Sequence, residues 1–210
     1  MKKTDLFEII NTKIHQIPFM MRVIVFLRRK LKIPLLAPHK YLKETVIKKH
    51  ARRFSLDILI ETGTADGEMV QATKNIFKKI YSVELDEALY KYSKNRFAYD
   101  DHIFLYQGDS SKILPVILSK IKKPCLFWLD AHYSGGETAR GSVETPIMTE
   151  LNYIFDTKLN HVILIDDAKL FVGKNDYPTI KEVKNLLMKK NSNWFLEIKY
   201  DIIRIRKRIK

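Results

Sequence analysis

From residue 56 to residue 190 the chain alternates short, unbroken apolar runs with longer stretches in which apolar residues recur every three or four positions. Unbroken runs suit strands buried on both faces, and the helical spacing between them suits crossovers. The pattern therefore predicts βαβ units and a parallel sheet covered on both sides. Strands are expected near 57–61, 80–84, 103–107, 125–130 and 161–166, and helices near 67–78, 86–98, 111–121, 146–157 and 178–190. In the last helix Lys181, Glu182, Asn185 and Lys189 fall at helical spacing among Ile180, Val183, Leu186 and Leu187, as a half-exposed helix requires. The end of the chain reads differently. Residues 194–200 and 202–206 are two β-rich runs with almost no connector, which demands an antiparallel hairpin. The expected fold is α/β and Rossmann-like, a mostly parallel seven-stranded sheet with a C-terminal antiparallel hairpin. A nicotinamide-binding sheet is normally parallel throughout.

Pro34 and Pro38 interrupt what precedes the sheet and separate a basic N-terminal helix from a second helix near 40–53. The chain is accordingly divided into a basic helical extension, 1–53, and an α/β domain, 54–210. Charge sharpens this division. The formal net charge is +14, but residues 1–53 carry 14 Lys/Arg against 3 Asp/Glu, and residues 204–210 add five basic residues and no acid. The body between them is close to neutral, so the surplus that would point to nucleic acid belongs to the ends. Residues 17–32 mix apolar positions with Arg and Lys. They read as a solvated, partly packed helix, as a peripheral contact with an anionic membrane, or as a lid over a site. The longest apolar run, 17–27, is broken by Arg22 and falls short of the roughly 20 residues that a bilayer demands. Arg28, Arg29, Lys30 and Lys32 follow it where a secretory signal would have a cleavage site. Cys125 stands alone in a strand-like run, which excludes a disulfide framework or a cysteine zinc site and fits the cytoplasm.

The first strand runs into Glu61-Thr62-Gly63-Thr64-Ala65-Asp66-Gly67, a turn at the carboxyl edge of the sheet, where ligands bind in such folds. Gly63 is expected to let the backbone approach a ligand, and Gly67 to let the next helix pack on the strand. Ala65 and Glu68 stand where a dinucleotide fingerprint needs its second and third glycines, and Asp66 places a carboxylate where a pyrophosphate would sit. A cationic adenosine compound without phosphate suits the turn better. S-adenosylmethionine fits that description, with Glu61 and Asp66 favouring its positive groups. The second strand ends at Glu84, 21 residues after Gly63 and just before Leu85, where an acid can accept from both ribose hydroxyls. The third ends before Asp109 and Ser110. Asp109 either faces the adenine amino group or caps the next helix.

The fourth strand ends in Asp130-Ala131-His132 and the fifth in Asp166-Asp167. If these strands are neighbours, three carboxylates meet beside the cofactor turn, and a cation is one way to relieve their repulsion. All-oxygen ligation suits Mg²⁺, which would orient a substrate hydroxyl and lower its pKa for attack on a methyl group. His132 is then the candidate general base, or else a neighbouring hydrogen bonder, and the aspartates have the alternative of capping helices. Residues 133–141 form a glycine-rich polar loop that either closes over the substrate, with Tyr133 and Arg140 touching it, or is an ordinary surface loop.

On these residues the chain resembles the macrocin O-methyltransferase-like group of class I S-adenosylmethionine-dependent methyltransferases. The resemblance spans about 40–190 and is strongest at 61–67, 81–86, 108–111, 129–141 and 163–167. It implies a Mg²⁺ site made by Asp130, Asp166 and Asp167. Where several members of the group have a second Asp as base, this chain has His132. Loop 133–141 is similar to that of a subgroup associated with glycan gene clusters, which implies O-methylation of a sugar hydroxyl in glycan or polysaccharide biosynthesis. Two other readings stay open. A nucleic-acid methyltransferase would use the basic arm, but the body lacks the Asn-Pro-Pro-aromatic and paired-cysteine signatures of base methylation, so a nucleic-acid partner is not expected. A binding protein that keeps the fold without the chemistry would not need the three aspartates. Homo-oligomer formation is compatible with either.

Overall fold

The structure is a computed structural model and describes residues 40–131, 145–190 and 193–208. The compact unit that carries the sheet spans Lys43–Lys210. Helix α1 (Lys40–Arg53) leads into β1 (Ile58–Thr62), α2 (Glu68–Thr73), β2 (Lys79–Glu84), α3 (Glu87–Arg96), β3 (Ile103–Gln107), α4 (Ser110–Ser119) and β4 (Leu126–Leu129). Then follow α5 (Ile147–Asp156), β5 (Val162–Ile165), a 3₁₀ turn (Ala168–Leu170), α6 (Ile180–Lys190), β6 (Trp194–Lys199) and β7 (Ile202–Lys207). The seven strands lie in the order β3-β2-β1-β4-β5-β7-β6. Strands β1 to β5 are parallel, and β7 runs antiparallel to both β5 and β6. The hairpin expected at the end of the chain is there. Tyr200 and Asp201 turn it with φ of 57° and 60°, the left-handed pair that matches the twist of two adjoining strands.

The unbroken apolar runs have a direct cause. Side chains alternate across a strand, and here both faces are covered. Ile58, Ile60, Phe127, Leu129, Ile163 and Ile165 point into one core, with Leu114 and Ile117 of α4, Leu151 and Ile154 of α5 and Val183 of α6. Leu59, Leu126, Trp128, Val162 and Leu164 point into the other, with Val46, Ile47 and Ala51 of α1 and Val70 of α2. Helix α2 is shorter than the expected 67–78. Thr73 turns its hydroxyl onto the Met69 carbonyl at 2.7 Å, a bond that competes with continued helix, and the chain bends so that Phe77 enters the core.

The order reverses between β1 and β4, and in open α/β sheets the crevice outside such a reversal is where ligands bind. Thr62 is level with Leu129, and Leu129 with Ile165, so β1, β4 and β5 end together. Every acidic strand-end residue singled out above therefore lies on one edge. Among the described residues no helix is long and apolar enough to cross a membrane.

Beneath β4 and β5, His161 is buried. Its Nδ1 accepts from the Cys125 N–H at 3.0 Å, its Nε2 lies 2.9 Å from Thr157 Oγ1, and its ring packs edge-on against Phe127. Burial pushes its pKa down to about 4. Nuclear magnetic resonance titration of the imidazole is expected to show it neutral down to pH 5. A midpoint near the ordinary 6.5 would contradict this packing.

Candidate active site

The turn after β1 is held by backbone and by buried hydroxyls. Gly63 donates to the Val83 carbonyl at 2.9 Å with φ +88°, and a Cβ there would stand 2.6 Å from the Asp130 carbonyl oxygen. The close approach that requires this glycine is therefore to the end of β4; sequence reasoning had assigned it to a ligand. Gly67, φ +76°, is likewise needed for a different partner than expected. A Cβ would meet the Phe97 ring at 2.5 Å, so it admits the residue after α3 and not a strand. Thr64 and Ser82 bond through their hydroxyls at 2.6 Å, and Ser82 donates onward to Glu61.

Glu61 is fully inside. Burial, with Asp130, Glu84 and Asp66 adding negative charge around it, pushes its pKa to about 8. With no ligand beside it, this carboxyl keeps its proton at neutral pH and braces the turn as a hydrogen-bonding group. Asp66 is exposed and accepts weakly from the Glu68 N–H at 3.3 Å. Thr62 is buried at the tip of β1, and its Oγ1 has no hydrogen-bond partner among the described residues.

Glu84 is pinned by two backbone donors. Ala65 N–H reaches Oε2 at 2.7 Å and Asp86 N–H reaches Oε1 at 2.9 Å, and each oxygen keeps lone-pair capacity for a ligand hydroxyl. The Leu85 carbonyl accepts from Gln107. Asp109 caps α4: its Oδ1 takes both Ser111 N–H (2.9 Å) and Ser111 Oγ (2.7 Å), which leaves Oδ2 for other use. Ser110 is buried beside it.

The three aspartates do converge. Asp130, Asp166 and Asp167 each offer a carboxylate oxygen, and these atoms lie within 4.8 Å of one another. Two features bring them together. Asp130 N–H bonds to Thr62 and Asp166 N–H to Leu129, which extends the strand register past the strand ends. Asp167 then adopts the left-handed conformation (φ 49°, ψ 50°), which breaks the alternation that would send adjacent side chains to opposite faces. Asp166 is the buried member. Desolvation and Asp130 raise its pKa to about 7, against the pull of Lys43, which pairs with its Oδ2. Its Oδ1 is buried without a hydrogen-bond partner among the described residues, and Lys169 pairs with Asp167 at 3.0 Å. The set fits a dication. Three carboxylates from neighbouring strand ends, one of them buried, are an all-oxygen donor set of the kind that would hold Mg²⁺.

Lys43 and Glu150 were missed in the sequence. Lys43 is one basic residue among many in the extension 1–53. Glu150 carried a signal: it occupies the apolar stripe of α5 with Ile147, Leu151 and Ile154, where a charge is out of place. It is buried, its Oε1 has no hydrogen-bond partner among the described residues, and burial raises its pKa to about 7. With Asp130, Asp166, Thr145 and Tyr177 it lines a cavity of about 10 Å³, room for one water. His132, Tyr133 and Arg140 lie outside the described residues.

Glu61 yields a test with a definite sign. Its folded pKa lies above the ordinary 4.5, so the folded state holds its proton longer than the unfolded chain and wild-type stability falls as pH rises from 4.5 to 8. Glu61→Gln removes that dependence. Its stability relative to wild type is expected to rise by more than about 1 kcal/mol across this window in urea unfolding, and a pH-independent difference would contradict the buried acid.

No family model and no curated protein matches the sequence. Solved structures do resemble the fold. A methyltransferase from Podospora anserina bound to S-adenosylhomocysteine matches with a TM-score of 0.58 and 16% identity, over 81% of this chain and 80% of that one. The O-methyltransferase TomG from Streptomyces achromogenes, in complex with S-adenosylmethionine, gives 0.59 and 15% over 86% and 85%. An O-methyltransferase from Bacillus cereus with S-adenosylhomocysteine gives 0.59 and 11% over 89% and 90%. Strand order, hairpin and these likenesses agree: the chain has the Rossmann-like α/β fold of the S-adenosylmethionine-dependent O-methyltransferases.

Proposed function

We propose that the protein is an S-adenosylmethionine-dependent, Mg²⁺-assisted O-methyltransferase that acts on a sugar hydroxyl in glycan or polysaccharide biosynthesis. The observation that carries this is the meeting of Asp130, Asp166 and Asp167 at the strand ends beside the β1 turn. The cofactor is supported by the bound compounds of the two O-methyltransferases of like fold. The sugar rests on the likeness of loop 133–141 alone.

The methyl acceptor's oxygen attacks the methyl carbon, the carbon–sulfur bond breaks, and S-adenosylhomocysteine leaves. Asp130, Asp166 and Asp167 would hold a dication, whose positive charge would orient the acceptor hydroxyl and ease loss of its proton. The chain's own residues do the rest. Glu84, fixed by two N–H groups, offers lone pairs to the ribose hydroxyls, and Asp109 Oδ2 offers one to the adenine amino group. The β1 turn holds the sulfonium end near Asp130. His132 is proposed to take the hydroxyl proton, with Tyr133 and Arg140 contacting the acceptor.

S-adenosylhomocysteine release, measured across nucleotide sugars and glycans, is expected to require Mg²⁺ and to stop with a chelator. Asp166→Asn and Asp167→Asn are each expected to lower kcat/KM 10- to 100-fold or more while leaving S-adenosylmethionine affinity near wild type. Glu84→Gln sets an amide donor against a backbone N–H and is expected to weaken that affinity roughly tenfold in calorimetry. Full activity in chelator, or with both aspartates replaced, defeats the metal-assisted reading.

We also propose a peripheral contact with an anionic membrane, cytoplasmic in placement. Arg53, Arg206, Arg208 and Phe195 line a cleft of about 430 Å³, with the Arg206 guanidinium 4.7 Å from the Phe195 centroid. Residues from both basic ends thus share one surface, at the opposite edge of the sheet from the aspartates. Co-sedimentation with phosphatidylglycerol vesicles is expected to weaken about fivefold per arginine replaced and to vanish in high salt. No dependence on these arginines removes the cleft from the contact.

A further inference from the structure

We propose that Lys43 is a positioning residue of the carboxylate site: it grips one oxygen of Asp166 so that the other stays bare and turned toward Asp130 and Asp167. This rests on the dication reading above. The ammonium of Lys43 pairs with Asp166 Oδ2, while Oδ1 is buried and has no hydrogen-bond partner among the described residues. A buried carboxylate oxygen without a donor is rare, because leaving it unpaired forfeits the hydration it had in the unfolded chain. Here the vacant oxygen belongs to a residue whose carboxylate meets two others within 4.8 Å. Asp166 thus has one oxygen held by a fixed cation of the chain and a second that is buried with no hydrogen-bond partner among the described residues.

The fold explains why a lysine arrives there. Val46, Ile47, His50 and Ala51 form the buried stripe of α1, packed on the sheet. Lys43 is one turn before Ile47 on that stripe, so the packing that buries Ile47 aims Lys43 inward. The helix ends next to the start of β1, which puts its Lys43 end toward the opposite, carboxyl edge of the sheet. A side chain whose contacts are set by a buried helix face holds a metal ligand better than a loop residue does. Partners of this kind, behind the ligating carboxylates, typically change metal affinity 10- to 100-fold when removed. Lys43 also feels the charges of Asp130 and Asp167, so its removal alters the whole cluster.

The test is Mn²⁺ affinity of the full chain without cofactor or acceptor, read from the free-ion electron paramagnetic resonance signal. Lys43→Met is expected to bind Mn²⁺ 10- to 100-fold more weakly than wild type. Lys43→Arg, which keeps a cationic donor, is expected to recover part of that loss. Thermal unfolding of both variants reports whether the fold is kept, and if Lys43→Met does not fold, Lys43→Arg is expected to bind Mn²⁺ more tightly than Lys43→Gln and less tightly than wild type. Tighter binding on loss of the ammonium means that Lys43 competes with the metal, and overturns the proposal. Equal affinity in all variants makes the ion pair structural only, and overturns it while sparing the dication reading. If wild type binds no Mn²⁺, the dication reading falls and this inference falls with it.

Discussion

The repulsion among three carboxylates at one sheet edge is the constraint around which the site is arranged. At 4.8 Å and an effective dielectric constant near 20, each ionised pair is unfavourable by on the order of 3 kcal/mol before solvent screening at the half-buried Asp130 and Asp167. The fold itself creates this repulsion. The β4–β5 pairing brings Asp130 and Asp166 together, and the left-handed backbone at Asp167 adds the third acid. Backbone hydrogen bonds at Asp130 and Asp166 fix the main chain on which these side chains stand. That arrangement is the one the proposed dication would relieve.

The chain itself supplies part of the compensation. Lys43 and Lys169 pair with Asp166 and Asp167, while burial raises the pKa of Glu61 to about 8 and that of Glu150 to about 7, so both are protonated for part or most of the time at neutral pH. The edge is therefore less negative than a count of its acids implies. What remains ionisable and open is concentrated where a metal and a cationic cofactor would sit. Glu84 and Asp109, by contrast, are tied to backbone N–H groups and act as fixed acceptors, so their orientation is settled before any ligand arrives.

Strands and hairpin were legible in the sequence because burial on both faces leaves an unbroken apolar run, and because two β-rich runs with no connector have a single way to pair. The strand-end acids were legible for a related reason: a charge that directly follows such a run has to lie at the edge. Helix α2 was overextended because nothing local reveals that the Thr73 hydroxyl folds back or that Phe77 is wanted in the core. The partners of Gly63 and Gly67 are distant in sequence, so only the need for a glycine was visible and not what it makes room for. Lys43 is a long-range case of the same kind, since its partner is 123 residues away. The proton on Glu61 follows from burial and from three surrounding acids, none of which a single strand discloses.

The most direct test of the account is a crystal structure of the full chain soaked in Mn²⁺, with anomalous scattering used to locate the ion. One peak bonded by oxygens of Asp130, Asp166 and Asp167, with Asp166 Oδ1 among them, is the result that this account predicts. A peak elsewhere, or carboxylates that splay apart with no ion between them, would contradict it.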